Sequence, residues 1–204
     1  MSINSIKINI NGYVSAKSDF YCVEDVLPND EVALQNGVNM LEGGIDSGVF
    51  AVSYLISMYP KVNHRLLFST PEALVDGVRV PLSKLAKRAC YIDLSYPLFS
   101  SKKTVRTLVT LGLKKSKLRY SADEICEIFK MTPFRFDRPI SGTGNERFKA
   151  MSAIGFSYGK EIFCFPWFSK YRYDRFKIHM KHLNDTLSSL GKMVIFPTES
   201  ISDI

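Results

Sequence analysis

Two stretches in the C-terminal half repeat one order: a helix-patterned segment, a glycine, then a short apolar strand. The spacing predicts a helix from about Asn145 to Tyr158, stopped by Gly159 and followed by a strand from Glu161 to Phe165. It predicts a second helix from about Tyr173 to Leu190, stopped by Gly191 and followed by a strand from Met193 to Phe196. Glycine takes the left-handed backbone that ends a helix without steric cost. A helix between two apolar strands is the crossover that a parallel sheet requires. The expected fold is therefore α/β with a mostly parallel sheet, and 204 residues are enough to bury its core in a single domain over 1–204.

Upstream, the pattern changes twice. The first forty residues read as short strands, with Ser5 to Ile10 alternating, Phe20 to Val26 mixed, and Gly37 to Leu41 leading into a glycine turn, so an antiparallel N-terminal β-subdomain is expected. Val49 to Met58 is apolar over a helical length and ends before Pro60; without a polar face it belongs inside the protein. Arg65 to Ser69 and Ala89 to Leu94 read as interior strands. From Thr104 to Lys130 the period is helical, with Ser121 and Glu124 spaced as a capping box, which marks a helical insert over about 100–158.

Charge and cysteine usage narrow the setting. Lys and Arg number 27 against 20 Asp and Glu, a net charge of +7, gathered at Lys102 to Arg119 and Lys170 to Lys181. Such a surplus suits an anionic partner, nucleic acid or the negative face of a membrane, but two solvated helix faces are the preferred reading and no nucleic-acid partner is expected. Cys22, Cys90, Cys126 and Cys164 form no CxxC pair, so a reducing, cytoplasmic setting without disulfide or zinc is expected. No signal core and no apolar run long enough to span a bilayer occur, so membrane association is expected only through a partner.

The segment Gly43-Gly44-Ile45-Asp46-Ser47-Gly48-Val49-Phe50 lies between a strand and a helix, with glycines at the first and sixth positions of GxxxxGK[ST]. In that phosphate loop backbone N–H groups surround the phosphates, Lys neutralises the β and γ charges, and the hydroxyl binds magnesium. Here Val49 and Phe50 stand in place of the two side chains. Gly43, Gly44, Asp46, Ser47 and Gly48 keep a backbone anion nest at a helix N-terminus, worth about 0.3–1 kcal/mol from the helix dipole. The missing Lys removes a charge-assisted hydrogen bond of about 1.5–3 kcal/mol. ATP binding is expected to be weak or absent, with no magnesium site. Taken alone, the same glycines also suit a tight strand-to-helix turn.

Four downstream segments follow in an order that resembles the ATP-binding-cassette (ABC) ATPase domains, a P-loop NTPase-like fold. Tyr91 to Phe99 followed by Thr104-Val105-Arg106 resembles the Q-loop strand and its sequel, with Asp93 in place of Gln. Ile140-Ser141-Gly142-Thr143-Gly144, with Arg147 and Ala150 after it, resembles the LSGGQ signature and its helix. Glu161 to Trp167 resembles the Walker B strand, and Val194 to Glu199 the strand that ends in the switch His. Where the family has the magnesium-organising Asp and the general-base Glu, this chain has Pro166 and Trp167; Glu199 takes the switch position, and little of the D-loop remains beyond Asp174.

Phosphoryl transfer rests on positioning and charge stabilisation. The resemblance with these losses therefore implies a non-catalytic subunit, peripheral at the inner face of the membrane. Its implied partners are a transmembrane permease and an intact ABC ATPase or a second copy of itself. In the family the signature acts in trans on the partner's γ-phosphate, which assigns that role to Ser141, Gly142, Thr143 and Gly144. The Thr143 Cβ is expected to hinder close approach, and the competing reading has Ser141 as the N-cap of the next helix. The alternative function is a stand-alone regulatory module that reuses the fold.

Three other groupings are set aside. His179 and His182, three apart and flanked by Lys177 and Lys181, read as a solvated basic face rather than a metal pair. Tyr171, Arg172, Tyr173, Arg175 and Phe176 interleave rings and cations as single-strand nucleic-acid binders do, yet follow the Walker-B-like strand, where a surface or dimer-facing role is expected. Tyr13, Phe20 and Tyr21 compete for the family's adenine-stacking position.

Overall fold

The computed structural model describes residues 3–9, 12–18, 22–27, 31–44, 47–62 and 72–199. Its centre is a wholly parallel sheet of β5 (Val38–Glu42), β10 (Met193–Thr198), β9 (Ile162–Cys164) and β8 (Ala89–Tyr91), in that order. Successive side chains on a strand point to opposite faces, and in β8, β9 and β10 both faces are buried. Ile162, Cys164, Met193 and Ile195 face one apolar cluster, while Phe163, Val194 and Phe196 face a second. That double burial explains why these strands read as continuous apolar runs rather than alternating ones.

The first cluster is organised by α1 (Val49–Met58) and α2 (Leu82–Arg88). Every α1 residue from Phe50 to Met58 is buried, as its lack of a polar face predicts, and its hydroxyls are satisfied internally: Ser53 Oγ donates to the Phe165 carbonyl at 2.6 Å and Ser57 Oγ to that of Ser53 at 2.8 Å. Above α1 lie an antiparallel sheet, ordered β4 (Glu31–Gln35), β1 (Ser5–Asn9), β6 (Glu72–Val75), β7 (Val78–Pro81), and the hairpin of β2 (Gly12–Lys17) and β3 (Cys22–Leu27).

The antiparallel region is thus not confined to the first forty residues. Its edge hairpin β6–β7 turns through Asp76 and Gly77, whose φ values of 50° and 79° suit a two-residue primed turn. Conversely β5, expected as part of the N-terminal β piece, is the edge of the parallel sheet. The strand expected over Ala89 to Leu94 stops at Tyr91, and the one expected over Arg65 to Ser69 lies outside the described residues.

The second cluster joins the sheet to α3 (Val105–Ser116), α4 (Ala122–Ile128), α5 (Pro133–Phe136), α6 (Arg147–Ser157) and α7 (Lys170–Ser189). The capping box at Ser121 and Glu124 forms in both directions. Close approach sets this packing: a Cβ at Gly112 of α3 would sit 2.9 Å from the Ser157 backbone, and one at Gly155 of α6 would sit 3.0 Å from Cys90 Sγ. Gly159 and Gly191 adopt φ values of 74° and 66°, so both glycine stops act as expected. Helix α7 begins at Lys170 rather than near Tyr173 because the Ser169 hydroxyl caps it. Cys90, Cys126 and Cys164 are buried free thiols, and burial pushes the Cys90 and Cys164 thiols up, which leaves them protonated.

Candidate functional site

The glycine loop joins β5 to α1, the strand-to-helix placement that its sequence predicts. Gly43 is fixed on both sides: its N–H donates to the Thr198 carbonyl and its carbonyl accepts from Trp167 Nε1, both at 2.9 Å. A Cβ on Gly43 would lie 2.4 Å from Ser47 Oγ, so this glycine is required by the turn itself. Ser47 Oγ donates back to the Gly44 carbonyl at 2.5 Å, and Gly48, at φ 81°, opens the helix. Ile45 and Asp46 lie outside the described residues.

A carboxylate that sequence reasoning did not single out sits at the start of α1. Asp25, on β3 and 0% exposed, accepts from Gly48 N–H through Oδ1 and from Ala51 N–H through Oδ2, both at 3.2 Å. The first amides of a helix lack intrahelical acceptors and carry the positive end of the dipole, so a buried anion there is electrostatically matched. These are donors of the kind a phosphate would engage. In Cys22-Val23-Glu24-Asp25-Val26-Leu27 nothing local separates Asp25 from Glu24, because its partners lie more than twenty residues away.

Aromatic rings complete the loop's surroundings. Phe50, expected at the Ser/Thr position, stacks on Trp167, expected at the general-base position, with centroids 4.4 Å apart and planes inclined by 18°. Val49 is half-buried and Pro166 is buried. Glu199, expected at the switch position, accepts from the Lys170 amide at 2.8 Å and so serves the N-terminus of α7. Asp93, expected at the Q-loop position, is 1% exposed and accepts from the Ser95 amide at 2.9 Å.

The signature-like turn has a different character. Ile140–Gly142 and Gly144–Glu146 form two successive 3-10 turns, and Ser141, Gly142 and Gly144 are exposed. Thr143 is 0% exposed and its hydroxyl donates to the Ile140 carbonyl at 2.6 Å, so its Cβ is directed inward and does not obstruct the outer face. Ser141 does not cap α6, whose N-cap is Glu146; that competing reading fails. Glu146 anchors the turn by accepting from the amide and hydroxyl of Thr132 at 3.0 and 2.6 Å. Beside it, Leu94, Phe99, Ser101, Lys102, Pro139 and Ser141 line much of a cavity of about 490 Å³.

Tyr173 is buried against Phe196 and Phe176 packs edge-on to Phe148, leaving Tyr171 as the exposed ring of that segment, which does not form a stacking platform. His182 is half-buried, not solvated, and burial with Lys130 and Lys149 nearby holds its imidazole below the usual range. Among the described residues no group of three or more His, Cys, Asp or Glu is arranged to hold a metal, and no helix is long and apolar enough to cross a membrane. Tyr13 is exposed, whereas Phe20 and Tyr21 lie outside the described residues.

No protein-family model matches the chain, and no curated protein matches it. Solved structures do. A Pyrococcus furiosus protein described as an ABC transporter ATP-binding protein superposes with a TM-score of 0.59 at 14% identity, covering 97% of this chain and 92% of that one. The ATP-binding cassette MJ0796, in a dimeric post-hydrolysis state bound to ADP and Pi, gives 0.61 at 13% identity over 96% and 88%. CbiO1 from Clostridium perfringens, part of the ABC transporter complex cbiONQ, gives 0.61 at 15% identity over 98% and 80%. The fold of this chain is that of ABC transporter ATP-binding domains.

Proposed function

We propose that this chain is a non-catalytic ABC-type domain acting as an accessory or regulatory subunit of a membrane transporter, peripheral at the cytoplasmic face. Its partners in this reading are a transmembrane permease and an intact ABC ATPase, or a second copy of itself. The observation that carries the reading is Asp25: its buried carboxylate holds the Gly48 and Ala51 amides at the phosphate-loop helix. An incoming triphosphate would find these helix-terminal donors already taken by the Asp25 carboxyl. The Trp167 indole and Phe50 ring add a stacked pair beside the same loop.

The residues present do not fit a magnesium nucleotide. Val49, Phe50, Pro166 and Trp167 supply neither the ammonium, the hydroxyl nor the carboxylates that hold and organise it. The exposed turn at Ser141, Gly142 and Gly144 remains suited to meeting a partner's nucleotide, with Thr143 bracing it from inside.

Isothermal titration of the purified chain with ATP and magnesium tests the first half: no binding is expected at millimolar nucleotide, and saturable binding or phosphate release overturns it. Co-purification from native expression tests the second, since recovery as a monomer without a membrane partner favours a stand-alone regulatory module. In a recovered complex, Ser141→Ala and Gly142→Asp should lower the partner's ATPase and transport rates; unchanged rates remove the in-trans role.

A further inference from the structure

At the opposite end of α1 from the glycine loop lies a cleft of about 610 Å³, open at one side. Volumes of roughly 300–1,000 Å³ are those of small-molecule sites. Among the described residues its lining includes four lysines, Lys61, Lys87, Lys115 and Lys160, and no Asp or Glu. Between the ammonium groups the walls are apolar, from Met58 and Leu98 together with the rings of Tyr96 and Tyr158. Polar anchors at the rim of an apolar hollow are what fix an amphipathic ligand in one orientation.

Lys160 is the informative member. It is half-buried, its Nζ donates to the Lys87 carbonyl at 2.6 Å and stands 6.0 Å from the Tyr96 ring centroid, and no carboxylate among the described residues pairs with it. The adjacent acid, Glu161, is taken by Arg88, whose Nε donates to it at 3.0 Å. Lys115 stands 5.8 Å from the Tyr158 ring centroid. Burial, with Lys115 adding repulsion, holds the Lys160 ammonium below the usual lysine range. A partly desolvated cation without a counter-ion costs folding free energy, and here it faces a cavity.

We propose that this cleft binds a small amphipathic anion, an apolar body carrying one phosphate or carboxylate head, with the head on Lys160 and Lys115 and the body between Met58, Leu98 and the two tyrosines. The site is separate from the glycine loop and does not depend on nucleotide. The ligand supplies the counter-charge that none of the described residues does.

Titration of the full chain by calorimetry with decyl phosphate and with decanoate, below their micellar concentrations, tests this, with decanol as the neutral probe. Saturable one-to-one binding of at least one anion is expected, with decanol weaker by at least about tenfold, the lower end of a charge-assisted bond. Binding of decyl phosphate alone assigns a phosphate head, and of decanoate alone a carboxylate.

Lys160→Met should weaken binding by about tenfold or more while leaving the melting temperature equal or higher, because it removes an unpaired, desolvated charge. That pairing of lost affinity with retained stability separates a ligand role from a structural one. Lys115→Glu, on an exposed face, should weaken binding without affecting folding. Absence of saturable binding by both anions at millimolar concentration, equal binding of decanol, or undiminished affinity in both variants overturns the proposal.

Discussion

The glycine loop at Gly43 to Gly48 and the glycine turn at Ser141 to Gly144 are built from similar residues and have opposite relations to their surroundings. In the loop, the amide and carbonyl of Gly43, the amide of Gly48 and the hydroxyl of Ser47 are all engaged by the chain itself. In the turn, the one inward side chain, Thr143, satisfies itself against Ile140, and the two glycines and the serine remain on the surface. A glycine spacing therefore does not by itself report a ligand. At Gly43 it reports the proximity of Ser47; at Gly142 the nearest obstacle to a Cβ is Arg138 Cβ at 3.3 Å, on an exposed face.

The largest expected effect breaks the inward side of this comparison. Asp25→Ala takes the acceptor from the Gly48 amide, at about 1–3 kcal/mol for an unsatisfied group, leaves the Ala51 amide with the Gly48 carbonyl alone, and empties a buried side-chain site. We expect a loss of roughly 2–4 kcal/mol in urea unfolding, with Asp25→Asn, which keeps one acceptor oxygen, costing about half as much. A cost below about 1 kcal/mol for the alanine variant would mean that water replaces the carboxylate and that the loop is not internally sealed.

Next comes Trp167. Truncating a fully buried Trp costs about 3–5 kcal/mol; Trp167 is half-buried but also stacks on Phe50 and donates to Gly43, so Trp167→Ala should cost about 2–3 kcal/mol. Trp167→Phe, which keeps a ring and loses the donor, should cost about 1 kcal/mol. Trp167 is also the chain's sole tryptophan, so its emission reports directly on the loop. ATP with magnesium should leave that emission unchanged; a saturable shift would show that nucleotide displaces the stack.

Much of this arrangement was legible in the sequence, and the limit is physical. The Val49–Met58 helix, both glycine stops and the Ser121 capping box follow from signals within one or two turns of chain. The Asp76-Gly77 turn carries an equally local signature, yet no hairpin was expected there. The expected positions of Gly43, Gly48, Pro166 and Trp167 were readable as motif slots, but what fills the loop was not. Trp167 reaches Gly43 across 124 residues and Asp25 reaches Gly48 across 23, and neither contact leaves a period in the sequence. The assignment of β5 to the parallel sheet likewise depends on its pairing with β10.

A matched pair of substitutions sharpens the comparison with the smallest chemical change. Gly43→Ala forces a Cβ to within 2.4 Å of Ser47 Oγ and 2.7 Å of Ser47 Cβ, so the turn must open, at about 1–3 kcal/mol. Gly142→Ala asks only that the Arg138 stem move by a few tenths of an ångström, and should cost less than about 1 kcal/mol. Equal losses in melting temperature would erase the distinction between the two glycine segments.

The smallest effect on folding is expected at Ser141, and that makes it the cleanest probe of the outward side. Its side chain is exposed and caps no helix, so Ser141→Ala should change stability by no more than about 0.5 kcal/mol. If Ser141 meets a partner's nucleotide, the same variant should lower the partner's ATPase rate while the melting curve of the isolated chain stays in place. A charge-assisted contact to a phosphate is worth about 1.5–3 kcal/mol, so the rate should fall by at least about tenfold. A rate loss accompanied by a comparable loss of stability would place Ser141 in the packing of its own turn and leave both glycine segments serving the fold alone.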